Sequence, residues 1–216
     1  MAENKEMKTG TTTVGLVAKD CVVLAADMRA SMGHIAYDEE SQKLYKITNN
    51  MALTNAGSVG DGLTLIRFLR GQVRLYEIER DTKISVKATA TLLSNVLNSS
   101  RYYPFGVQFI IGGMNNDPEL YELDPLGGSL ERKKYAVSGS GTELAMTTLD
   151  QNYKDEMAEE EAIGVAVKAI HAGKKRDIFS GGKSVSVMLI NKDGVRELDQ
   201  KAITKYTKDA KDKDLN

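Results

Sequence analysis

The chain has 216 residues, 41% of them hydrophobic, which is enough to bury the core of one compact domain. Its 29 basic and 30 acidic residues give a formal charge of -1, so no positive field is available to hold a nucleic-acid backbone. The first ten residues are charged and no stretch approaches membrane-spanning length, so we expect neither a secretory signal nor a membrane partner. Cys21 is the only cysteine and fits a reducing cytoplasm.

Short β-rich runs dominate the first quarter of the chain and return after residue 107. A charged break at residues 19–20 between two such runs predicts a hairpin. Turn-forming pairs such as Gly112-Gly113 separate the later runs. Predicted strands cover residues 12–18, 21–26, 34–37, 43–47, 51–55, 107–111, 120–123, 130–137, 185–190 and 195–198.

Apolar residues change to a spacing of three and four from Asp61 onward, which predicts a long helix through Tyr76. The same spacing predicts a second helix over residues 86–97, and two more over about 142–153 and 158–172. Three glutamates open the last of these and basic residues close it, which complements the helix dipole. We expect residues 206–216 to form a charged, flexible tail.

The order of elements is strands, two helices, strands, two helices, strands. This order differs from the strict alternation of a doubly wound parallel sheet. It favours an α+β fold in which two antiparallel sheets are covered by pairs of helices.

Thr11 follows a charged leader that ends in Gly10. A threonine hydroxyl needs a base, and a free α-amine on the same residue can serve because its pKa, about 7.7 to 8.0, lies near neutral pH. Cleavage of the Gly10-Thr11 bond would therefore activate Thr11, and glycine has the conformational freedom that such a cleavage requires. Taken alone, the Gly-Thr-Thr-Thr string more often marks the start of a strand.

A series of motifs in fixed order resolves this ambiguity. The chain resembles the proteasome β family, most closely its archaeal members, from Gly10 to about Leu198. The motifs that carry the resemblance are Gly-Thr-Thr-Thr-Val-Gly at 10–15, Ala-Ala-Asp-Met-Arg-Ala-Ser at 25–31, Lys43, Ala-Gly-Ser-Val-Gly-Asp at 56–61, Ser-Gly-Ser-Gly at 138–141 and Arg-Asp-Ile-Phe-Ser-Gly-Gly at 176–182.

The resemblance implies the four-layer α-β-β-α sandwich of N-terminal-nucleophile hydrolases, with residues 1–10 as a propeptide and residues 11–205 as the domain. It implies Thr11 as nucleophile, Lys43 beside it and Asp27 paired with Lys43. A nearby ammonium lowers the pKa of the Thr11 amine, and the carboxylate keeps the lysine charged. The remaining implied roles are the oxyanion donor at Gly57 and the residues that hold the new amino terminus: Ser140, Asp177 and Ser180.

Five further positions match those that line the family's main specificity pocket: Ala30, Ser41, Tyr45, Asn55 and Val59. This largely uncharged set predicts cleavage after hydrophobic or neutral residues. The motif at 138–141 lacks the Gly-Lys-Ser/Thr ending of a phosphate loop, and neither His34 nor His171 has a metal-ligand companion. We therefore expect no nucleotide site, no metal and no cofactor.

By resemblance, the partners are other copies in seven-membered β rings stacked in pairs, proteasome α subunits, an ATP-driven unfoldase and unfolded polypeptide, in the cytoplasm. Two alternatives remain. One is a non-catalytic ring subunit of the same fold, and the other is the bacterial two-ring protease that shares this nucleophile. The motif at 176–182 and the long helices favour the proteasome type.

Overall fold

A computed structural model describes residues 10–212 of the chain. Most of the predicted propeptide, residues 1–9, and the end of the predicted tail, residues 213–216, lie outside the described residues. Within residues 10–212, no helix is both long enough and apolar enough to cross a membrane.

Twelve strands and five helices make up the described part of the chain. In order they are β1 (Thr12–Val17), β2 (Val22–Asp27), β3 (Ala30–Met32), β4 (Ile35–Asp38), β5 (Leu44–Lys46), β6 (Met51–Gly57), α1 (Val59–Arg80), α2 (Val86–Ser99), β7 (Val107–Met114), β8 (Pro118–Leu123), β9 (Ser129–Glu131), β10 (Tyr135–Gly139), α3 (Thr142–Asn152), α4 (Glu159–Arg176), β11 (Val185–Asn191), β12 (Gly194–Glu197) and α5 (Gln200–Asp212).

The strands form two five-stranded antiparallel sheets and one small hairpin. The first sheet has the order β10-β1-β2-β11-β12, and the second has the order β5-β6-β7-β8-β9. Strands β3 and β4 pair only with each other. The predicted hairpin of β1 and β2 is confirmed, with Thr13 opposite Ala26.

The core has three apolar layers, which define a four-layer sandwich. Leu16, Val23 and Leu189 of the first sheet pack against α3, α4 and α5. On the second sheet, Leu53 and Phe109 pack against α1 and α2. A third cluster fills the space between the two sheets and includes Leu24, Leu44, Ile110, Leu120 and Met188. The predicted α-β-β-α arrangement is confirmed.

Strand β2 shows why its sequence is an unbroken apolar run rather than an alternating one. Successive side chains of a strand point to opposite faces of the sheet. Val22, Leu24 and Ala26 face the second sheet, while Val23 and Ala25 face the helices. Both faces are buried, so every position is apolar.

The structure corrects the prediction at four places. Strand β3 was not predicted, and Gly112-Gly113, predicted as a turn, lies inside β7. The run 130–137 is two strands, β9 and β10, separated by a turn. Helix α5 was not predicted, and it continues to Asp212 through much of the segment expected to be a flexible tail. Its charged composition concealed two features that hold it: Asp199 Oδ1 accepts the Ala202 N–H at 2.7 Å, and Ile203 is fully buried.

Candidate active site

The two sheets each contribute part of one site at the same end of the sandwich. Thr11 directly precedes β1, and Asp27 ends the neighbouring antiparallel strand β2. In the second sheet, Lys43 directly precedes β5 and Gly57 ends β6. Because each pair of strands is antiparallel, the start of one strand lies beside the end of the other. The fold therefore brings four residues that are distant in sequence into one place.

Thr11 is only 4% exposed, and its side chain points back toward the preceding residue. Its Oγ1 donates a hydrogen bond to the Gly10 carbonyl oxygen at 2.7 Å. Lys43 Nζ donates to the same oxygen at 3.4 Å. The carbonyl that precedes Thr11 is therefore in contact with a hydroxyl and polarised by an ammonium group.

Asp27 and Lys43 form a buried ion pair, with 2.6 Å between Oδ1 and Nζ. The carboxylate also accepts the backbone N–H groups of Thr12 at 2.9 Å and Gly181 at 2.8 Å. Burial lowers the pKa of the Lys43 ammonium, and the Asp27 carboxylate opposes part of that shift. Lys43 is thus held in place by a fully buried anion while its proton is easier to lose than that of a surface lysine.

A chain of hydroxyl groups runs around the backbone nitrogen of Thr11. The Thr11 N–H donates to Ser140 Oγ at 3.1 Å, and Ser140 Oγ donates to Asp177 Oδ2 at 2.5 Å. Ser180 Oγ donates to the same carboxylate oxygen at 2.5 Å. The Thr12 hydroxyl lies 2.7 Å from Ser180 Oγ. Asp177 is therefore the common acceptor that fixes both serines around the nitrogen.

Gly10 lies where no larger residue has room. A Cβ added to it would overlap the Phe179 Cβ and lie 2.6 Å from the Phe179 Cα. The Phe179 carbonyl is in turn held by the Ser31 hydroxyl at 2.9 Å. The glycine before Thr11 is thus a steric requirement of this site, in addition to any conformational one.

A small cavity of about 30 Å³ opens beside Thr11 and Gly57. Four of the five predicted pocket residues line it: Ala30, Ser41, Asn55 and Val59. The structure does not bring Tyr45 to this cavity. Its ring packs in the cluster between the second sheet and its helices, and its hydroxyl donates to the Gln42 carbonyl at 2.8 Å.

Asn55 is unusual among the cavity residues because its side chain is polar, only 5% exposed and incompletely bonded. Its Oδ1 is a buried atom without a hydrogen-bond partner, the only such side-chain atom identified in the described part of the chain. Buried polar atoms are normally hydrogen-bonded, and this acceptor belongs to a residue that lines a cavity with room for about one water molecule.

Several contacts of the site were not predicted from the sequence. The pocket prediction omitted Ser31 and Gln42, which line the cavity, and no role was assigned to Thr12 or Phe179. Ser31 and Phe179 lie inside the quoted motifs, which could have indicated them. Within residues 10–212, no group of three or more His, Cys, Asp or Glu side chains is arranged to hold a metal ion.

The two antiparallel sheets between helix layers define the fold class of N-terminal-nucleophile hydrolases. Comparison with known proteins gives the family. The family described as "Proteasome subunit" matches residues 7–189. The chain therefore belongs to the proteasome subunit family.

Its relatives are archaeal β subunits. "Proteasome subunit beta" of Methanocaldococcus vulcanius is 47% identical over 206 residues, covering 94% of this chain and 92% of the relative. "Proteasome subunit beta 2" of Pyrococcus furiosus is 46% identical over 197 residues, covering 91% and 95%. "Proteasome subunit beta" of Methanosarcina mazei is 40% identical over 202 residues, covering 93% and 96%.

Proposed function

We propose that this chain is the precursor of a catalytic β subunit of the proteasome core particle, a threonine-type endopeptidase that acts on unfolded polypeptide. The observation that carries the proposal is the 2.7 Å hydrogen bond from Thr11 Oγ1 to the Gly10 carbonyl oxygen, beside the buried Asp27–Lys43 pair. Proteasome β subunits are generally peptidases, and the names of the relatives support membership of the core particle.

The first reaction is removal of residues 1–10. Thr11 Oγ1 attacks the Gly10 carbonyl carbon, the bond from that carbon to the Thr11 nitrogen breaks, and the hydroxyl proton passes to the departing nitrogen. The product is an ester between Gly10 and Thr11, which water hydrolyses. Lys43 stabilises the negative charge that develops on the Gly10 oxygen, since its ammonium already contacts that atom.

The second reaction is cleavage of substrate by the freed amino terminus. The Thr11 amine takes the hydroxyl proton, Thr11 Oγ1 attacks a peptide carbonyl, and an acyl-ester forms and is hydrolysed. Ser140, Asp177 and Ser180 fix the position of the amine, and Asp27 orients Lys43. The Gly57 N–H donates to the oxyanion. The side chain before the cut binds among Ala30, Ser41, Asn55 and Val59, where the cavity of about 30 Å³ must widen to admit it.

The family implies assembly into core-particle rings with α subunits. We infer seven-membered β rings stacked in pairs between α rings, in the cytoplasm, with an ATP-driven unfoldase that delivers substrate. Enclosure of the site inside such a particle would supply the selectivity that the chemistry lacks.

The decisive experiment replaces Thr11 by alanine and follows two signals in particles assembled with an α-type partner. Intact mass reports loss of residues 1–10, and a fluorogenic peptide reports hydrolysis. We expect both signals to vanish in Thr11→Ala and to persist in Thr11→Ser, which keeps a hydroxyl at the same position. Normal cleavage or hydrolysis in Thr11→Ala would overturn the proposal.

The same measurements separate the alternatives. A wild-type chain that keeps residues 1–10 in assembled particles would favour a non-catalytic ring subunit. Ring composition seen by electron microscopy would distinguish the four-ring particle from a two-ring protease.

A further inference from the structure

Three buried hydroxyl groups form a bridge between the two sheets, just behind the site. Thr13 Oγ1 lies 2.7 Å from Ser138 Oγ and 3.1 Å from Thr54 Oγ1. Thr13 and Ser138 are directly opposite each other on β1 and β10 of the first sheet, while Thr54 belongs to β6 of the second sheet. Thr13 and Thr54 are fully buried, and Ser138 is 3% exposed.

The surroundings of this bridge are apolar. The layer between the sheets is filled by aliphatic side chains such as Leu24, Leu44 and Ile110. Aliphatic contacts tolerate small sliding movements, whereas a hydrogen bond weakens steeply with distance and angle. A hydroxyl bridge in such a layer therefore selects one relative position of the two sheets.

Each hydroxyl of the bridge can both donate and accept a hydrogen bond. The Ile110 N–H donates to Thr54 Oγ1 at 3.2 Å, so the Thr54 hydroxyl has its own proton available for Thr13. Thr13 can then donate to Ser138. Such chains are cooperative, and an unpaired member in a buried setting is costly, which makes the arrangement rigid.

Each member of the bridge lies close in sequence to a residue of the site. Thr13 is two residues after Thr11, and Ser138 is two residues before Ser140. Thr54 precedes Asn55, whose N–H donates to the Lys43 carbonyl at 2.8 Å, and lies on the strand that ends at Gly57. The bridge thus connects the sheet that carries the threonine with the sheet that carries the lysine and the oxyanion donor.

We propose that Thr13, Thr54 and Ser138 are positioning residues. They set the distance between Thr11, at the first sheet, and the part of the site at the second sheet, which contains Lys43 and Gly57. This role rests on the proposed peptidase function. The three hydroxyls take no part in proton transfer. They act by holding the reacting groups in register, and misplacement of about 1 Å costs roughly a hundredfold in rate.

The test compares two substitutions of Thr13 in assembled particles. Thr13→Val keeps the shape and loses the hydroxyl, whereas Thr13→Ser keeps the hydroxyl and loses a methyl group. We expect Thr13→Val to lower kcat at least about tenfold with KM within about twofold, and Thr13→Ser to remain within about threefold of wild type. A merely structural role of the side chain would harm both variants alike.

Thr89→Val is the matched control, because Thr89 is a fully buried threonine of α2 whose hydroxyl bonds only to its own helix, at the Ser85 carbonyl. We expect this variant to keep wild-type kcat. If Thr13→Val does not assemble, Thr54→Val removes the same inter-sheet bond from the other side, together with the acceptor of the Ile110 N–H, and should also lower kcat at least about tenfold.

Three results would each overturn the positioning role while leaving the peptidase function intact. They are unchanged kcat in Thr13→Val or Thr54→Val, an equal loss in Thr89→Val, and a loss in Thr13→Ser as large as that in Thr13→Val. An inactive wild-type particle would overturn both.

Discussion

Gly10→Ala tests whether the residue before Thr11 is constrained by the fold itself. An added Cβ would overlap the Phe179 Cβ and lie 2.6 Å from the Phe179 Cα. Because nonbonded carbons are best separated by roughly 3.5 Å, relieving the second of these overlaps alone requires a shift of about 0.9 Å. The Gly10 oxygen sits between Thr11 Oγ1 at 2.7 Å and Lys43 Nζ at 3.4 Å, so a shift of this size misaligns the attack.

A misplacement of about 1 Å costs roughly a hundredfold in rate, so we expect removal of residues 1–10 to be about a hundredfold slower in Gly10→Ala. The assay is a time course of intact mass after the precursor is mixed with its α-type partner. Gly71→Ala is the control, because an added Cβ there meets no atom within 4 Å. Cleavage of Gly10→Ala within about threefold of wild type would refute the steric argument.

Two further predictions concern buried polar groups. Lys43→Met should keep residues 1–10 attached, as seen by intact mass. It should also lower the free energy of unfolding, measured in urea, by about 3 kcal/mol, because the buried Asp27 carboxylate loses its cationic partner. Unchanged stability would contradict this prediction. Burial, with Glu159 and Asp20 nearby, raises the pKa of the Cys21 thiol from 9.0 to about 11, so the folded state holds this proton more tightly than the unfolded state. Stability should therefore fall by up to about 3 kcal/mol as pH rises from about 9 to 11, and Cys21→Ala should lack this loss; parallel urea-unfolding curves against pH for both proteins would count against it.

The regular spacing of apolar residues predicted most of the fold. A helix or strand that packs on one side carries apolar residues at regular intervals along that side. The helix predicted from Asp61 proved to begin at Val59, where the Ser58 hydroxyl caps it by accepting the Asp61 N–H. Helix α5 escaped detection because one fully buried residue, Ile203, anchors it amid a charged sequence. The sequence did contain a helical signal, because Ile203 and Tyr206 are three residues apart and both pack on the helix-covered face of the first sheet.

Motif order identified the residues of the site better than it identified their contacts. Thr11, Asp27 and Lys43 were identified through the family resemblance, and the structure brings them within hydrogen-bonding reach of one another or of Gly10. The hydroxyl of Thr12 could not be assigned in this way, because its partner Ser180 lies 168 residues away. Tyr45 was predicted to line the pocket, yet its ring packs into the core between the second sheet and its helices.

The division of the site between two sheets has a consequence for when it can act. Thr11 and Asp27 belong to the first sheet, whereas Lys43 and Gly57 belong to the second, and the two halves meet only when the apolar layer between the sheets is packed. A chain whose sheets are separated has no lysine at the Gly10 carbonyl and no buried environment to strengthen the charge interaction. Such a chain should keep its leader, and its threonine then lacks the free amine that would serve as base. Removal of residues 1–10 would thus indicate that the two sheets have packed together. A misfolded subunit, in which the sheets are apart, would keep these residues and stay inactive.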